Sequence, residues 1–228
     1  MHVDAGGIKL WVDRAGSGQA VVFAHGLTQD HTLFAGQREP FAARYQFIAY
    51  DIRGYGKSGR VYEPEYTLDT VVADQRALFD ALAIDRAVLV GFSYGGLIAQ
   101  RFAVLHPERV RALVICDAVA QFTPESRAMF EQRAITAETK GMASMPEGML
   151  SRWFTPEFHA KNPERIAALR QQILDNDPRA VAATCRIAAT LDLRDQITAI
   201  RAPTLVLVGE FDRGNPLPKA QEIQERIP

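Results

Sequence analysis

Cysteine is scarce: Cys116 and Cys185 are the only two, with no CxxC spacing and no histidine placed to join them. That scarcity argues against a disulfide framework and against a zinc site, and two free buried thiols are expected. Long apolar runs are also missing. No stretch approaches the roughly 20 consecutive apolar residues that cross a bilayer, and the opening MHVDAGGIKLWVDRAG has no basic segment followed by an apolar one. The expectation is a cytoplasmic protein with no membrane partner. Neither sign of charge dominates, since 26 Lys and Arg stand against 27 Asp and Glu. No strong field therefore draws the chain to nucleic acid, and a small, weakly charged substrate fits better. Low-complexity segments and repeats at solenoid periods are absent as well.

What is present is an ordinary globular composition, 47% hydrophobic and 23% charged over 228 residues, enough for one sizeable core and an insertion. Short β-branched runs alternate with helical patterns, which predicts a mostly parallel sheet with helices on both faces. Strands are expected at 8–13, 20–25, 47–51, 87–92, 110–116 and 203–208, and helices at 68–82, 94–105 and 218–227. In the first of these helices Leu68, Val71, Val72, Phe79 and Leu82 share a face, Thr67 is placed to cap it, and Asp69 faces the positive end of its dipole. From about 120 to 190 the pattern becomes consecutive helices punctuated by proline. The expected organisation is a core over 1–119, a helical cap over 120–190 and the rest of the core over 191–228.

Gly91-Phe92-Ser93-Tyr94-Gly95 is a G-x-S-x-G sequence between a buried apolar strand and a helix. A serine at so sharp a turn needs small neighbours, and its hydroxyl is then held above the sheet at a helix N-terminus. Ser93 is thus the expected nucleophile, with the Tyr94 N–H as one oxyanion donor. His25-Gly26 closes an earlier strand, and the Leu27 N–H is the expected second donor. His25 itself is placed at the pocket and read as ordering its loop, because the base comes last in the usual chain order.

With HG at 25–26, DIRGYGKSG at 51–59, GFSYGG at 91–96 and PTLVLVGEFD at 203–212, the chain resembles the α/β-hydrolases along essentially its whole length. Residues 133–158 and 191–212 are similar to 3-oxoadipate enol-lactonases and their esterase relatives. HGL at 25–27 departs from the Ser-Leu-Gly expected in those lactonases. The resemblance implies a serine hydrolase acting on a small ester or lactone, with no metal or organic cofactor. It also assigns the triad carboxylate to Asp212, in the turn after the strand at 203–208; Asp117, after the strand at 110–116, is the alternative.

The order Ser, Asp, His calls for a histidine after Asp212, and the five histidines, at 2, 25, 31, 106 and 159, all precede it. The base, with a further strand and closing helix, is therefore expected beyond residue 228. The same missing histidine motivates a second reading, a ligand- or partner-binding protein without turnover. Carbon–carbon hydrolysis and cofactor-free perhydrolysis would use the same constellation as the ester reaction.

Other features have a plainer structural explanation beside the functional one. Gly54-Tyr55-Gly56-Lys57-Ser58-Gly59 matches G-x-G-x-x-G, but Glu63-Pro64-Glu65 cannot open a phosphate-binding helix, so a tight structural loop is expected. Trp153 is a candidate for the pocket wall. Met129, Met142, Met145 and Met149 are expected to hold cap helices together. Arg133, Arg152 and Arg186 are candidates to meet a substrate carboxylate, though cap arginines are mostly solvated.

Overall fold

The computed structural model of the chain describes residues 1–62, 66–212 and 214–228. Its centre is a sheet built from β1 (His2–Asp4), β2 (Lys9–Ala15), β3 (Ala20–Ala24), β4 (Gln46–Tyr50), β5 (Ala87–Phe92), β6 (Val110–Cys116) and β7 (Thr204–Leu207). The spatial order is β1-β2-β4-β3-β5-β6-β7. The first two strands run antiparallel to their neighbours, and β4, β3, β5, β6 and β7 are parallel. This is the α/β-hydrolase fold. The crossings between parallel strands are made by helices, as the alternation of patterns requires.

Strand β3 shows why these runs lie inside. Every residue of AVVFA is buried, because both faces of the sheet are covered. Val21 and Phe23 point into one cluster with Phe34, Phe47 and Ala49, while Val22 and Ala24 point into the larger core on the other face. The smaller cluster is covered partly by Phe41 of α1 (Ala35–Ala42). The larger is covered by α2 (Leu68–Ala81) and α3 (Tyr94–Leu105), from which Val71, Val72, Leu78, Phe79, Leu97, Ile98 and Phe102 are buried. The Thr67 hydroxyl accepts from the Thr70 N–H, completing the cap that the sequence predicts.

Between β6 and β7 come α4 (Pro124–Lys140), α5 (Pro146–Trp153), α6 (Pro156–Lys161), α7 (Pro163–Leu174) and α8 (Pro178–Thr190). Each begins with proline, whose missing N–H costs nothing in a first turn. α4 and α8 lie side by side through Ala134, Ala137, Val181 and Cys185. The entry and exit of this block are tied together: Gln121 and Asp192 form a β-bridge, and the Leu193 N–H donates to the Ala120 carbonyl at 2.9 Å. β7 is followed by α9 (Leu217–Arg226).

The glycine-rich loop at 54–59 is structural. Gly54, at φ 83°, lies so close to α8 that a Cβ there would stand 2.6 Å from the Ala180 Cβ. The Asp51 carboxylate occupies the inside of the turn, accepting the Lys57 N–H at 2.8 Å, so that N–H is not open to a phosphate. Glu63-Pro64-Glu65 lies outside the described residues.

Candidate active site

Ser93 sits between β5 and α3 at φ 51° and ψ −111°, a left-handed conformation that a non-glycine residue adopts only under constraint. The constraint is close backbone packing. A Cβ on Gly91 would run into the Gly95 carbonyl, one on Gly95 into the Ala24 carbonyl, and one on Gly96 would stand 2.5 Å from the Ala118 Cβ. The Ser93 N–H donates to the Cys116 carbonyl at 2.9 Å, and its carbonyl accepts from Gly96 and Leu97. The backbone is thus fixed on three sides while the hydroxyl bonds to no described residue. The Tyr94 N–H, at the first position of α3, is likewise without an acceptor among the described residues.

The loop after β3 abuts this turn. A Cβ on Gly26 would lie 3.1 Å from the Phe92 ring, so the His25-Gly26-Leu27 backbone passes directly beside the residue before Ser93. The loop is held by His25, which is fully buried. Its Nε2 accepts the Ile52 N–H at 3.0 Å, and its Nδ1 donates to the Gly26 carbonyl at 2.8 Å. Burial pushes its pKa down, and the neutral ring with both nitrogens engaged has no lone pair left for a proton. Having no exposed surface, it reaches any substrate only through the loop it holds. Gln29 reaches back to accept the Gly26 N–H at 3.2 Å. The Leu27 N–H donates to no described residue.

Thr28, the next residue, is also left-handed at φ 62° and fully buried. Its hydroxyl donates to the Leu27 carbonyl at 2.6 Å, and its carbonyl accepts from Asn176 at 3.0 Å. Neither feature carries a sequence signal: Thr28 is not glycine, and Asn176 stands 148 positions away. Beside them a cavity of about 680 Å³ opens between α7 and the loops at 28–33 and 54–60, lined by Thr28, Gln29, Lys57, Arg60 and Asn176 among others.

The two candidate acids lie together at the carboxyl ends of β6 and β7. Asp117, at φ 45°, accepts the Gly209 N–H at 2.8 Å. Burial pushes its pKa up, the Gly209 N–H opposes that, and the Asp212 carboxylate adds to it. Asp212 is held by the Gly214 and Asn215 N–H groups at 2.7 and 2.9 Å, while the Asn215 side chain donates to the Asp117 carbonyl at 2.7 Å. None of the five histidines bonds to Ser93 or to either acid. His2 meets the Lys57 carbonyl, His31 pairs with Asp51, His159 meets the Leu150 carbonyl, and His106 packs on Phe102.

Among the candidates in the helical block, Trp153 ends α5 with 37% of its surface exposed, beside the exposed Arg152. Met142, Met145 and Met149 are buried in the core, as expected of packing residues, whereas Met129 is only half-buried, with its sulfur 3.8 Å from the Arg133 guanidinium. Arg186 is committed to Glu138 at 2.5 and 2.7 Å. Arg133 has no described carboxylate partner; it lies over the Phe130 ring, and burial pulls its pKa down.

Comparison with known proteins agrees with this geometry. A family model described as "alpha/beta hydrolase fold" matches residues 19–228. The chain is 30% identical over 208 residues to 3-oxoadipate enol-lactonase 2 of Acinetobacter baylyi, covering 91% of this chain and 77% of that protein. The enol-lactonase of Burkholderia xenovorans superposes with a TM-score of 0.93 at 28% identity, over 100% of this chain and 88% of that one. A thermophilic esterase of Thermogutta terrifontis does so at 0.91 and 30% identity, over 100% and 86%. The chain belongs to the α/β-hydrolase fold family, and it is a hydrolase.

Proposed function

We propose that the protein cleaves a small carboxylic ester or lactone through an acyl-enzyme on Ser93. The observation that carries this reading is the Ser93 turn, with a constrained serine whose hydroxyl bonds to no described residue, and two amides, Leu27 N–H and Tyr94 N–H, that donate to none. Ser93 Oγ attacks the carbonyl carbon, and the two amides receive the charge that develops on the carbonyl oxygen. The tetrahedral adduct collapses, expelling the alcohol and leaving Ser93 acylated, and water then releases the acid. Asp212 orients the imidazole that takes and returns the proton; none of the five histidines at 2, 25, 31, 106 and 159 bonds to Ser93 or to Asp212. The helices over 120–190 act as a cap that encloses the substrate, with Trp153 at its edge. The names of the Acinetobacter, Burkholderia and Thermogutta relatives, two enol-lactonases and an esterase, support the substrate class.

A fluorophosphonate probe on the full-length protein tests the mechanism. It should label Ser93 and no other residue, and Ser93→Ala should abolish both labelling and ester hydrolysis, a loss of about a million-fold in turnover. A native sample that fails to react refutes the proposal. A panel of aryl acetates, lactones and vinylogous diketones separates ester cleavage from carbon–carbon cleavage on the same site.

A further inference from the structure

We propose that Asn176 is a positioning residue for catalysis, holding the loop that presents the Leu27 N–H to the developing oxyanion. The proposal rests on the serine-hydrolase reading above and extends it to a residue in the helical block.

An oxyanion donor works only if its N–H is aimed before the reaction begins, so whatever fixes the flanking peptides is part of the device. On the N-terminal side of Leu27 the fixing groups are local, with His25 and Gln29 holding the Gly26 carbonyl and N–H. On the C-terminal side the chain turns through Thr28, whose left-handed φ of 62° is disfavoured for a branched residue. The Thr28 hydroxyl bonds back to the Leu27 carbonyl, which ties the turn to itself but not to anything outside it. Among the described residues the external anchor of the Thr28 peptide itself is Asn176, and three residues on the His31 N–H donates to the Asp51 carboxylate at 2.7 Å. The Asn176 side-chain amide donates to the Thr28 carbonyl at 3.0 Å and to the Gln172 carbonyl at 2.6 Å, spending one N–H on the loop and one on the carboxyl end of α7. Its own backbone N–H donates to the Ile173 carbonyl, so the residue is seated on the helix end before it reaches across. An amide is the group this bridge needs, because both partners are carbonyls and only a –NH₂ offers two donors from one short side chain. An aspartate of the same shape would present oxygen to oxygen.

The bridge also links the cap's position to the donor's aim. When α7 sits as it does here, the Thr28 peptide is clamped; if α7 moves away, the left-handed turn loses its external support.

The test is steady-state kinetics of the full-length protein on an aryl acetate, together with the affinity of an aryl boronic acid, which forms a tetrahedral adduct on Ser93. Asn176→Ala and Asn176→Asp should lower kcat about 10- to 100-fold, a fraction of the 10²–10³ lost when a whole oxyanion donor is removed. KM should change less than about twofold, and boronate affinity should fall in step with kcat. Thr184→Val is the control for mere loosening. It removes a different bond between cap and core, the Tyr55 hydroxyl to Thr184 at 2.7 Å, and should lower Tm without moving kcat or boronate affinity. Asn176→Gln, which keeps the amide, should recover part of the loss. Folded Asn176 variants with wild-type kcat and boronate affinity overturn the proposal, and so does a loss that Thr184→Val reproduces at equal Tm. If the wild type itself shows no Ser93-dependent turnover, the serine-hydrolase reading falls and takes this proposal with it.

Discussion

Asp117 and Asp212 face one another across the carboxyl ends of β6 and β7, and the two carboxylates differ in what holds them. Asp212 accepts two backbone N–H groups, from Gly214 and Asn215, whereas Asp117 accepts one, from Gly209, and is pushed toward its protonated form by burial and then by its neighbour's charge. Two fixed N–H groups hold the Asp212 carboxylate in place to orient an imidazole, whereas the push of Asp117 toward its protonated form unsuits it to that task. Asp212→Asn should therefore lower kcat by about 10⁴, and Asp117→Asn should cost far less. A pair of kcat/KM profiles against pH checks this, and the reverse ranking would move the acid to Asp117.

The first turn of α3 is pressed against the end of β3 through Gly95. A Cβ there would overlap the Ala24 carbonyl and lie 2.8 Å from the His25 carbonyl, both of them backbone that cannot swing aside. Gly95→Ala should destabilise the protein by at least the about 1–3 kcal/mol typical of overpacking. At roughly 2–4 °C per kcal/mol for a chain of this size, the drop should be plain in a melting curve.

His31 gives the fold a pH dependence. Its hydrogen bond to Asp51, at 2.7 Å, raises its pKa above the ordinary 6.5, with Asp30 adding in the same sense and burial and Lys57 opposing. Asp51 is pushed up by burial, but the bonds from His31 and Lys57 outweigh this and leave it below its ordinary 3.8. A base raised by folding contributes fully below its unfolded pKa and loses that contribution as pH rises through the folded value. The stability difference between wild type and His31→Gln should thus be largest between about pH 3.8 and pH 6.5, the ordinary values of the two groups, and should shrink on going alkaline and on acidifying toward the lowered Asp51 value. Urea titrations at several pH values measure it, and a difference that grew with pH would contradict the pairing.

Arg53 and Asp74 form a buried ion pair with two parallel bonds, at 2.5 and 2.6 Å, between the loop after β4 and α2. The side chains are only 7% and 8% exposed, so removing one partner strands the other away from water. Asp74→Ala should cost about 3–5 kcal/mol, read from the urea midpoint. Replacing both residues with apolar ones of similar volume should recover most of it.

The parts of this protein whose signals are local are legible in the chain alone. A buried run, a serine and a helix within nineteen residues place Ser93 at a strand-to-helix turn, because the glycines that the turn needs, Gly91, Gly95 and Gly96, are its near neighbours, although the Ala24 carbonyl and the Ala118 Cβ that crowd two of them are not. The Thr67 cap was readable for the same reason, since donor and acceptor are three residues apart. Helix α1 carries no local signal, because none of its residues is buried and Pro40 lies inside it, so no apolar stripe marks it. The tertiary structure alone decided that His25 spends both nitrogens on backbone, that Asp117 and Asp212 share one corner, and that Asn176 reaches Thr28. These relationships join residues separated by 27, 95 and 148 positions, and a bond across such distances leaves no period or spacing in the chain. It exists only because the sheet order sets the ends of β3 and β4, and of β6 and β7, side by side and the helical block folds back over the loop after β3.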